Sequence, residues 1–539
     1  MGIVRPHRLA VRTSPLQGGN MGSTPIGAAM AEDYYLKVGR AGDLGNPKER
    51  FLFRLFEILP GVLSWGVLFS AIFFSWRQPF FVAIFIIIFV VFWFFRTIYF
   101  SLHLWLGYKR MERHEKIDWL EKLNQLKGWE NIYHLIVLPM YRESLEIVRD
   151  SFRKLEKTDY PKDKMLVVLA CEEGTRALVE QTVREIEKEF SKKLFRFLIT
   201  WHPANIPGEI PGKGSNETFA AKEAKGKIID PLGLPYENVI YSSFDIDTCV
   251  FPRYFSCLTY HYLTSENPLR TSFQPIPLFI NNIWQVPVIS RIFSFSSTFW
   301  HTMNQGRSGK LVTFSSHSMS FKTLVGVGFK QTNVVSEDSR IFWQCFLKYN
   351  GDYYVEPLYY PVSMDANVAK NFFRTLLNIY KQQRRWAYGS ENIPYFLFGF
   401  HKNKKIPFWR KFSLGFESIE GYISWATVSI LIFCLGWLPL ILGGPEFSHT
   451  LISYNLPKII SRIMTLAMVG LVISIYISFL LLPPKPPEYG RYKYLIFAFS
   501  WLIFPIMMIF FCSFPALDAQ THLMFGKYLG FWPTEKVRK

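Results

Sequence analysis

Acidic residues are paired at two places in the middle of the chain, where carboxylates could bind a metal or act as a base. Asp245-Ile246-Asp247 follows the apolar segment "NVIYSSF", and Glu337-Asp338 precedes an amphipathic segment. Two carboxylates on alternate residues can share one hard divalent cation, and that cation would neutralise a diphosphate. The structural alternatives are a turn for the first pair and a helix start for the second, since both settings favour acidic residues.

Basic residues suited to binding a phosphate occur in two further segments. Lys213 lies between two glycines in "PGEIPGKGSN", where the backbone can approach a phosphate and the lysine adds a point charge. Gln382, Arg385 and Trp386 lie together in "YKQQRRWAYG". The alternatives are a surface loop for Lys213 and a juxtamembrane helix on anionic lipid head groups for the second segment.

Short apolar strands precede most of these residues and alternate with amphipathic helices. The predicted strands are residues 134–139, 165–170, 195–200 and 238–244. This alternation predicts right-handed βαβ units and a parallel sheet with helices on both faces. In such sheets ligands bind at the carboxyl ends of the strands, so the residues that follow each strand are candidates for the site.

Long apolar runs flank this α/β region on both sides. The runs are residues 58–75, 80–100, 421–442, 459–482 and 494–514, and a helix of about 20 residues crosses a bilayer. The chain is 49% hydrophobic, 19% charged and carries a net charge of +19, which excludes intrinsic disorder and leaves a nucleic-acid binder with an unexplained apolar excess. Basic residues next to the runs place the α/β region in the cytoplasm by the positive-inside rule.

The motifs, taken in order, carry a resemblance. Pro139-Met140-Tyr141-Arg142-Glu143, Glu172-Glu173-Gly174, the lysine loop, DxD, ED and Gln382-x-x-Arg385-Trp386 follow one another along the chain. This set resembles a membrane-embedded family-2 glycosyltransferase of the cellulose synthase, hyaluronan synthase and chitin synthase type, over about residues 55–539. The resemblance implies an α/β nucleotide-sugar-binding domain (GT-A-like, mostly parallel sheet) inserted between α-helical transmembrane segments.

The same resemblance implies a role for each motif. Asp338 would be the catalytic base for direct, inverting transfer, and Asp245 and Asp247 would hold Mg²⁺ or Mn²⁺ on the diphosphate. The other implied contacts are Tyr141, Glu143, Glu172, Lys213, Asp245 and Arg385 with the nucleotide, and Glu337, Gln382 and Trp386 with the acceptor. The resemblance makes a UDP-sugar the leading donor. The family usually has Asp-Asp-Gly where this chain has Glu172-Glu173-Gly174, so the acidic side chain that reads the uracil is one methylene longer here.

The end of the chain resembles the family's FxVTxK gating loop, with Pro533 in place of valine. Phe531, Thr534 and Lys536 would then cover the bound nucleotide, whereas the alternative is a plain basic tail. One crossing by residues 494–514 would put this loop on the wrong side of the membrane. Because Pro505 interrupts a helix, we expect residues 494–504 to enter the membrane and residues 506–514 to return, followed by an amphipathic helix to about residue 528.

These inferences define a domain organisation and a function. The expected regions are a disordered N-terminal segment (1–50), a transmembrane hairpin (51–105), a cytoplasmic glycosyltransferase domain (125–370), interfacial helices with QxxRW (371–411), a C-terminal transmembrane region (412–514) and an amphipathic helix with the gating-loop tail (515–539). The resemblance implies a multi-pass protein of the plasma (inner) membrane that extends a polysaccharide from a nucleotide-sugar donor and passes it through its own channel. The alternatives are a non-processive transferase acting on a lipid-linked acceptor, and an inactive membrane scaffold or transporter. Nucleic acid is not an expected partner.

Overall fold

A mixed β-sheet forms the centre of the structure, a computed structural model that describes residues 33–490 and 492–532. Its strands are β1 (Tyr133–Met140), β2 (Met165–Glu172), β3 (Arg196–His202), β4 (Val239–Ser243), β5 (Cys249–Val250), β6 (Thr271–Leu278), β7 (Ser318–Ser320) and β8 (Tyr354–Ser363). They form one eight-stranded sheet in the order β3-β2-β1-β4-β7-β6-β8-β5.

The first half of the sheet is parallel and has a hydrophobic core on each face. β1 pairs with β2 and β4, and β2 pairs with β3, all in parallel register. Alternate residues of β1 point to opposite faces: Leu135 and Val137 enter one core, whereas Ile136 and Leu138 enter the other. Burial on both faces explains why these strands are almost continuously apolar in sequence.

The second half of the sheet is mixed. β7 is antiparallel to both β4 and β6, and β5 is antiparallel to β8, whereas β6 and β8 are parallel. Four of the seven strand pairs are therefore parallel, so the sheet is mostly parallel by a narrow margin. The predicted fold class, an α/β domain with a mostly parallel sheet between apolar helices, is confirmed.

Helices cover both faces of the sheet and form the flanking apolar regions. They are α1 (Pro47–Arg77), α2 (Pro79–Lys116), α3 (Trp119–Asn124), α4 (Leu145–Glu156), α5 (Arg176–Phe190), α6 (Lys213–Ala224), α7 (Tyr254–Thr264), α8 (Val288–Gln305), α9 (Phe321–Gly326), α10 (Glu337–Lys348), α11 (Phe372–Ala387), α12 (Asn392–Lys402), α13 (Phe408–Phe433), α14 (Leu438–Leu442), α15 (Gly444–Ser448), α16 (Leu451–Leu480), α17 (Tyr492–Ser500), α18 (Phe504–Met508) and α19 (Phe514–Met524).

Four helices within the described residues are long and apolar enough to cross a membrane. They are α1, α2, α16 and the run Tyr492–Met524, and the bent pair α13 and α14 would make a fifth. α1 and α2 are separated only by Gln78, as expected for a hairpin.

The predicted reversal of the chain at Pro505 is wrong. The helical run Tyr492–Met524 continues through Pro505 without a hairpin. The ring of Tyr494 contacts Trp284 of the α/β domain near the start of the run, and α19 packs against α11 near its end. Beyond the run, Phe531 reaches Gly212, so the chain contacts the α/β domain again without the proposed re-entrant turn.

The predicted disorder of residues 1–50 is also wrong for the part that the structure describes. Between residues 33 and 50 the chain forms two short 3₁₀ turns and begins α1, and Leu36, Val38 and Leu44 are buried. The carbonyl of Leu36 accepts hydrogen bonds from Tyr395 Oη at 3.0 Å and Gln331 Nε2 at 3.1 Å. This segment is thus packed against the domain, while residues 1–32 lie outside the described residues.

Candidate active site

The predicted site residues come together at the carboxyl ends of the parallel strands. Tyr141 and Glu143 follow β1, Glu172 ends β2, and Asp245 and Asp247 follow β4. One cavity of about 1580 Å³ has in its walls Tyr141, Glu143, Glu172, Lys213, Asp245, Asp247, Glu337, Asp338, Gln382, Arg385, Trp386 and Phe531. Thr534 and Lys536 lie outside the described residues.

The same cavity continues between the apolar helices. Its walls there include Trp93 and Thr97 of α2, Trp425 of α13 and Thr465 of α16. A continuous space therefore connects the strand ends with the interior of the helical region, and aromatic and hydroxyl side chains lie along it.

A lysine bridges two of the predicted carboxylates. Lys213 begins α6, and its Nζ lies 2.7 Å from Asp338 Oδ2 and 2.8 Å from Asp245 Oδ1. The loop before α6 was expected to present Lys213 to a phosphate. In this structure the ammonium group instead neutralises the proposed base and the first aspartate of the DxD motif.

Electrostatics keep Asp338 ionised. Burial alone would raise the pKa of Asp338, but the ammonium groups of Lys213 and Lys330 outweigh it and hold that pKa well below its usual range. Burial would also lower the pKa of Lys213, yet Asp245 and Asp338 raise it well above its usual value. Asp338 is therefore an unprotonated acceptor, whose basicity depends on how many lysines contact it.

The neighbouring carboxyl, Glu337, is in the opposite protonation state. Its side chain is buried, and burial together with the charge of Asp338 raises its pKa to about 8. Two adjacent carboxyl groups whose pKa values are driven apart can serve as a proton donor and a proton acceptor. Near neutral pH the raised pKa favours the protonated form of Glu337 beside the ionised Asp338.

Two glycines explain how the lysine loop fits its surroundings. Gly212 has φ +155° and ψ −167°, a conformation almost restricted to glycine, and a Cβ there would lie 2.5 Å from Cγ of Phe531. A Cβ on Gly214 would lie 2.8 Å from Cβ of Glu337. The glycines thus allow the end of the chain and the start of α10 to pack directly against the loop.

Asp245 and Asp247 offer the oxygen ligands that Mg²⁺ and Mn²⁺ prefer. The Asp245 side chain is 29% exposed, whereas Asp247 is buried and its Oδ2 accepts the backbone N–H of Asp365 at 2.8 Å. No group of three His, Cys, Asp or Glu side chains suited to a metal occurs within residues 33–490 and 492–532. A cation held here would have to take its remaining ligands from a diphosphate or from water.

The QxxRW residues lie on α11 and face the same cavity. Gln382 Oε1 accepts a hydrogen bond from Asn367 Nδ2 at 3.2 Å, and the Trp386 ring lies 6.3 Å from that of Phe279. The Arg385 guanidinium lies 4.8 Å from the centre of the Phe531 ring. α11 thus presents one cation and one indole ring to the space beside the acidic residues.

A buried histidine joins two loops of the predicted nucleotide pocket, and sequence reasoning missed it. His202 contacts Glu172 Oε2 through Nδ1 at 3.0 Å and Glu209 Oε2 through Nε2 at 3.1 Å. Burial would lower the pKa of His202, but the two carboxylates outweigh it and raise that pKa. His202 ends β3 as Glu172 ends β2, so a search of all strand ends would have found it.

Two further buried charges were missed, and no local pattern marks them. Lys330 lies in the loop before α10, and its Nζ contacts Asp338 Oδ1 at 2.8 Å and Glu217 Oε2 at 2.6 Å. Glu217 is on α6, one helical turn after Lys213. Only the folded chain brings these two residues to the ED motif.

No protein-family model matches this chain, and no curated protein matches it. Among solved structures, the mannosyltransferase PcManGT from Pyrobaculum calidifontis in complex with GDP-Man and Mn²⁺ is 13% identical and has a TM-score of 0.43, with 82% of this chain and 99% of that chain covered. TarS 1–349 from S. aureus in complex with UDP-GlcNAc is 13% identical with a TM-score of 0.31, covering 62% and 90% of the two chains. At such identities the similarity concerns the fold and not individual residues.

Proposed function

We propose that this protein is an inverting glycosyltransferase that moves a sugar from a nucleotide-diphosphate sugar, with a UDP-sugar as the leading donor, to a growing polysaccharide. The observation that carries the proposal is the cluster of Asp338, Lys213 and Asp245 at the carboxyl ends of the strands, in a cavity that continues between apolar helices. An ionised base, a cation and oxygen ligands are the groups that such a transfer requires.

In the proposed reaction the acceptor hydroxyl oxygen attacks the anomeric carbon of the donor sugar. Asp338 takes the hydroxyl proton, while the bond from the anomeric carbon to the diphosphate oxygen breaks and the diphosphate leaves with the electron pair. Only one carboxylate near the acceptor is needed, so no covalent sugar–enzyme intermediate forms, unlike in retaining hydrolases. Lys213 and Arg385 would balance the charge of the leaving group.

Asp245 and Asp247 are the residues proposed to hold Mg²⁺ or Mn²⁺. When bound, the cation would supply Lewis-acid stabilisation of the departing diphosphate. Tyr141, Glu143 and Glu172 would line the base and ribose pocket.

The acceptor would reach this site from the helical side of the cavity. Trp386, Trp93 and Trp425 all line this cavity. Indole rings stack on the apolar face of a sugar ring, so these rings suit an extended glycan. Continuity between the site and the helices supports processive extension coupled to translocation.

One observation favours the alternative of a lipid-linked acceptor. Between the helices the cavity walls also contain many apolar side chains, among them Val90, Phe94, Met464, Met468 and Leu502. Such walls suit an acyl or prenyl chain as well as a glycan. The length of the product distinguishes the two, because a lipid-linked acceptor would receive a single sugar.

The candidate spans α1, α2 and α16, together with the bent pair α13 and α14, support membrane integration. From the positive-inside rule we propose a multi-pass protein of the plasma (inner) membrane with the α/β domain in the cytoplasm. The Phe531 segment would then lie on the cytoplasmic side as a gating loop over the nucleotide.

The proposal is tested with purified protein in lipid nanodiscs. UDP-glucose, UDP-GlcNAc and GDP-mannose are supplied separately with Mg²⁺ or Mn²⁺, and released nucleotide and product length are measured. We expect one donor to give nucleotide release that Asp338→Asn abolishes. If wild-type protein releases no more nucleotide than Asp338→Asn from any of these donors, an inactive scaffold or transporter is favoured.

A further inference from the structure

Lys330 is a fully buried lysine that joins three elements of the site. Its side chain is 1% exposed, and its Nζ donates hydrogen bonds to Glu217 Oε2 at 2.6 Å, Ser243 Oγ at 2.8 Å and Asp338 Oδ1 at 2.8 Å. Glu217 lies on α6, Ser243 ends β4 and Asp338 is in the first turn of α10. One ammonium group therefore holds α6, β4 and α10 in position relative to one another.

The surroundings of Lys330 favour its charged form. Burial favours the neutral amine, but Asp338 and Glu217 outweigh it and hold the pKa of Lys330 well above its usual value. Glu217 is itself fully buried, and its other oxygen accepts the Ser243 hydroxyl at 2.8 Å. Two of the three oxygens that face the ammonium, those of Glu217 and Ser243, therefore belong to fully buried side chains.

The two oxygens of Asp338 consequently differ in their surroundings. Oδ1 is bound by Lys330, whereas Oδ2 is bound by Lys213, which lines the cavity and also contacts the partly exposed Asp245. A diphosphate entering the cavity would compete for the Lys213 ammonium. No comparable competitor can reach the buried Lys330.

We propose that Lys330 is a positioning residue that holds Oδ1 of Asp338, so that Oδ2 becomes the proton-accepting oxygen once the donor diphosphate draws Lys213 away. This proposal rests on the proposed glycosyltransferase function. In the step itself, the proton of the acceptor hydroxyl moves to Oδ2, the acceptor oxygen bonds to the anomeric carbon, and the diphosphate leaves with the electrons of the broken bond. Lys330 gives up no proton and contacts no substrate.

The environment of Asp338 makes the proposal visible in a pH profile. The titratable groups around it are Lys213 and Glu217 from α6, Lys330 from the loop before α10 and Glu337 from its own helix, while His317 lies 3.9 Å away. Burial lowers the pKa of His317 to about 3, so this ring is neutral. With Lys213 on the diphosphate, Lys330 would be the remaining cation that keeps the partly buried Asp338 ionised.

The test compares Lys330→Met with wild type and with Lys330→Arg. Turnover is measured against pH with the donor that wild type uses, and binding of UDP and GDP with Mn²⁺ is measured by calorimetry. For Lys330→Met we expect nucleotide affinity within about twofold of wild type, a loss in kcat of about 100-fold or more, and an acidic limb of the kcat profile about one pH unit or more higher. Lys330→Arg should recover part of the lost kcat and should return the acidic limb part of the way to its wild-type pH.

Lys162→Met is the matched control. Lys162 is a half-buried lysine of the same domain whose Nζ bonds to the carbonyls of Thr158 and Tyr160, far from Asp338 in the chain. We expect an unchanged pH profile for this variant. If Lys330→Met fails to fold, the double variant Glu217→Gln/Lys330→Met is used, because it removes both members of the buried pair and leaves no unpaired charge there. We expect the same loss in kcat and the same shift of the acidic limb in this double variant.

The outcomes separate the two proposals. Wild-type kcat and an unshifted acidic limb in a folded variant without Lys330 would overturn the positioning role while leaving the glycosyltransferase proposal intact. Wild-type protein that releases no nucleotide from any donor would overturn both.

Discussion

Lys213 and Asp338 lie 125 residues apart in the chain, yet their side chains meet at 2.7 Å. The contact pairs the residue expected to hold the donor diphosphate with the residue expected to deprotonate the acceptor. Since the low pKa of Asp338 depends on Lys213, the base would become stronger when a diphosphate takes over the lysine. Donor binding and base activation are then one event, which would suppress proton transfer before the donor is in place.

Replacing Asp338 separates chemistry from binding. For Asp338→Asn we expect turnover to fall by about 10²–10⁴-fold or more, the usual contribution of a general base, with no loss of nucleotide affinity, because the amide keeps the shape of the side chain and competes less for Lys213. Turnover and calorimetric binding of UDP or GDP check this. Asp352→Asn, at an exposed surface position, should behave as wild type, and undiminished turnover in Asp338→Asn would show that another group is the base.

Replacing Lys213 should have the opposite signature. Lys213→Met removes a hydrogen-bonded cation from the diphosphate, and such bonds contribute about 1.5–3 kcal/mol, so we expect about 10- to 100-fold weaker binding of UDP or GDP. Lys225→Met is the control, since Lys225 pairs only with the surface residue Asp230 among the ion pairs of the described chain. Unaltered nucleotide affinity in Lys213→Met would place the diphosphate elsewhere.

The contact between Gly212 and Phe531 can be tested with a double-mutant cycle. Gly212→Ala adds a Cβ that would collide with the Phe531 ring, so it should displace the end of the chain and weaken nucleotide binding beyond the backbone strain of about 1–3 kcal/mol. The effect of Gly212→Ala should be smaller in a Phe531→Ala background. Gly208→Ala is matched, because Gly208 has φ +84° in the same loop but nothing within 4 Å of its Cβ. Strict additivity of the two changes would mean that Phe531 does not cover the loop.

Glu337 predicts a pH dependence of stability. Its pKa rises from 4.5 to about 8 on folding, so between these values the unfolded chain has lost a proton that the folded chain keeps. The unfolded state binds fewer protons there, and stability therefore falls as pH rises through this window. Asp338 contributes no slope in it, because its pKa lies below 4.5 in both states. Thermal unfolding between pH 5 and 9 should show this fall in stability in wild type and a flatter pH profile in Glu337→Gln. Glu180→Gln is the control at an exposed position. An equal slope in wild type and Glu337→Gln would assign the pH dependence to another group.

The position of Phe531 predicts the side of the membrane on which the chain ends. Lys536 is five positions after Phe531, and such a segment spans at most about 18 Å, less than the roughly 30 Å of a bilayer core. The test introduces Lys536→Cys or, in the α/β domain, Lys192→Cys. Each is made in a Cys434→Ser background, because Cys434 is the exposed native cysteine. Both new cysteines should react with an impermeant thiol reagent from the same side of the membrane. Labelling from opposite sides would contradict the packing of Phe531 on Gly212.

Local patterns were sufficient for much of the fold. The predicted strand at residues 134–139 is β1 (Tyr133–Met140), and the predicted strand at residues 165–170 is β2 (Met165–Glu172). Hydrophobic periodicity is a local property, and parallel strands buried on both faces are strongly apolar. The antiparallel strands escaped this reasoning, since β5 and β7 have two and three residues and are too short to show a period.

The sequence by itself determined the α/β class, the apolar helices on either side and the strand-end positions of Glu172 and Asp245, because each depends on residues close together in the chain. Tertiary structure alone decided that Lys213 and Lys330 bind the two oxygens of Asp338, that His202 joins Glu172 to Glu209, and that the helical run past Pro505 returns Phe531 to Gly212. Buried charges are stable only beside partners, and those partners come from distant segments that a local pattern does not relate.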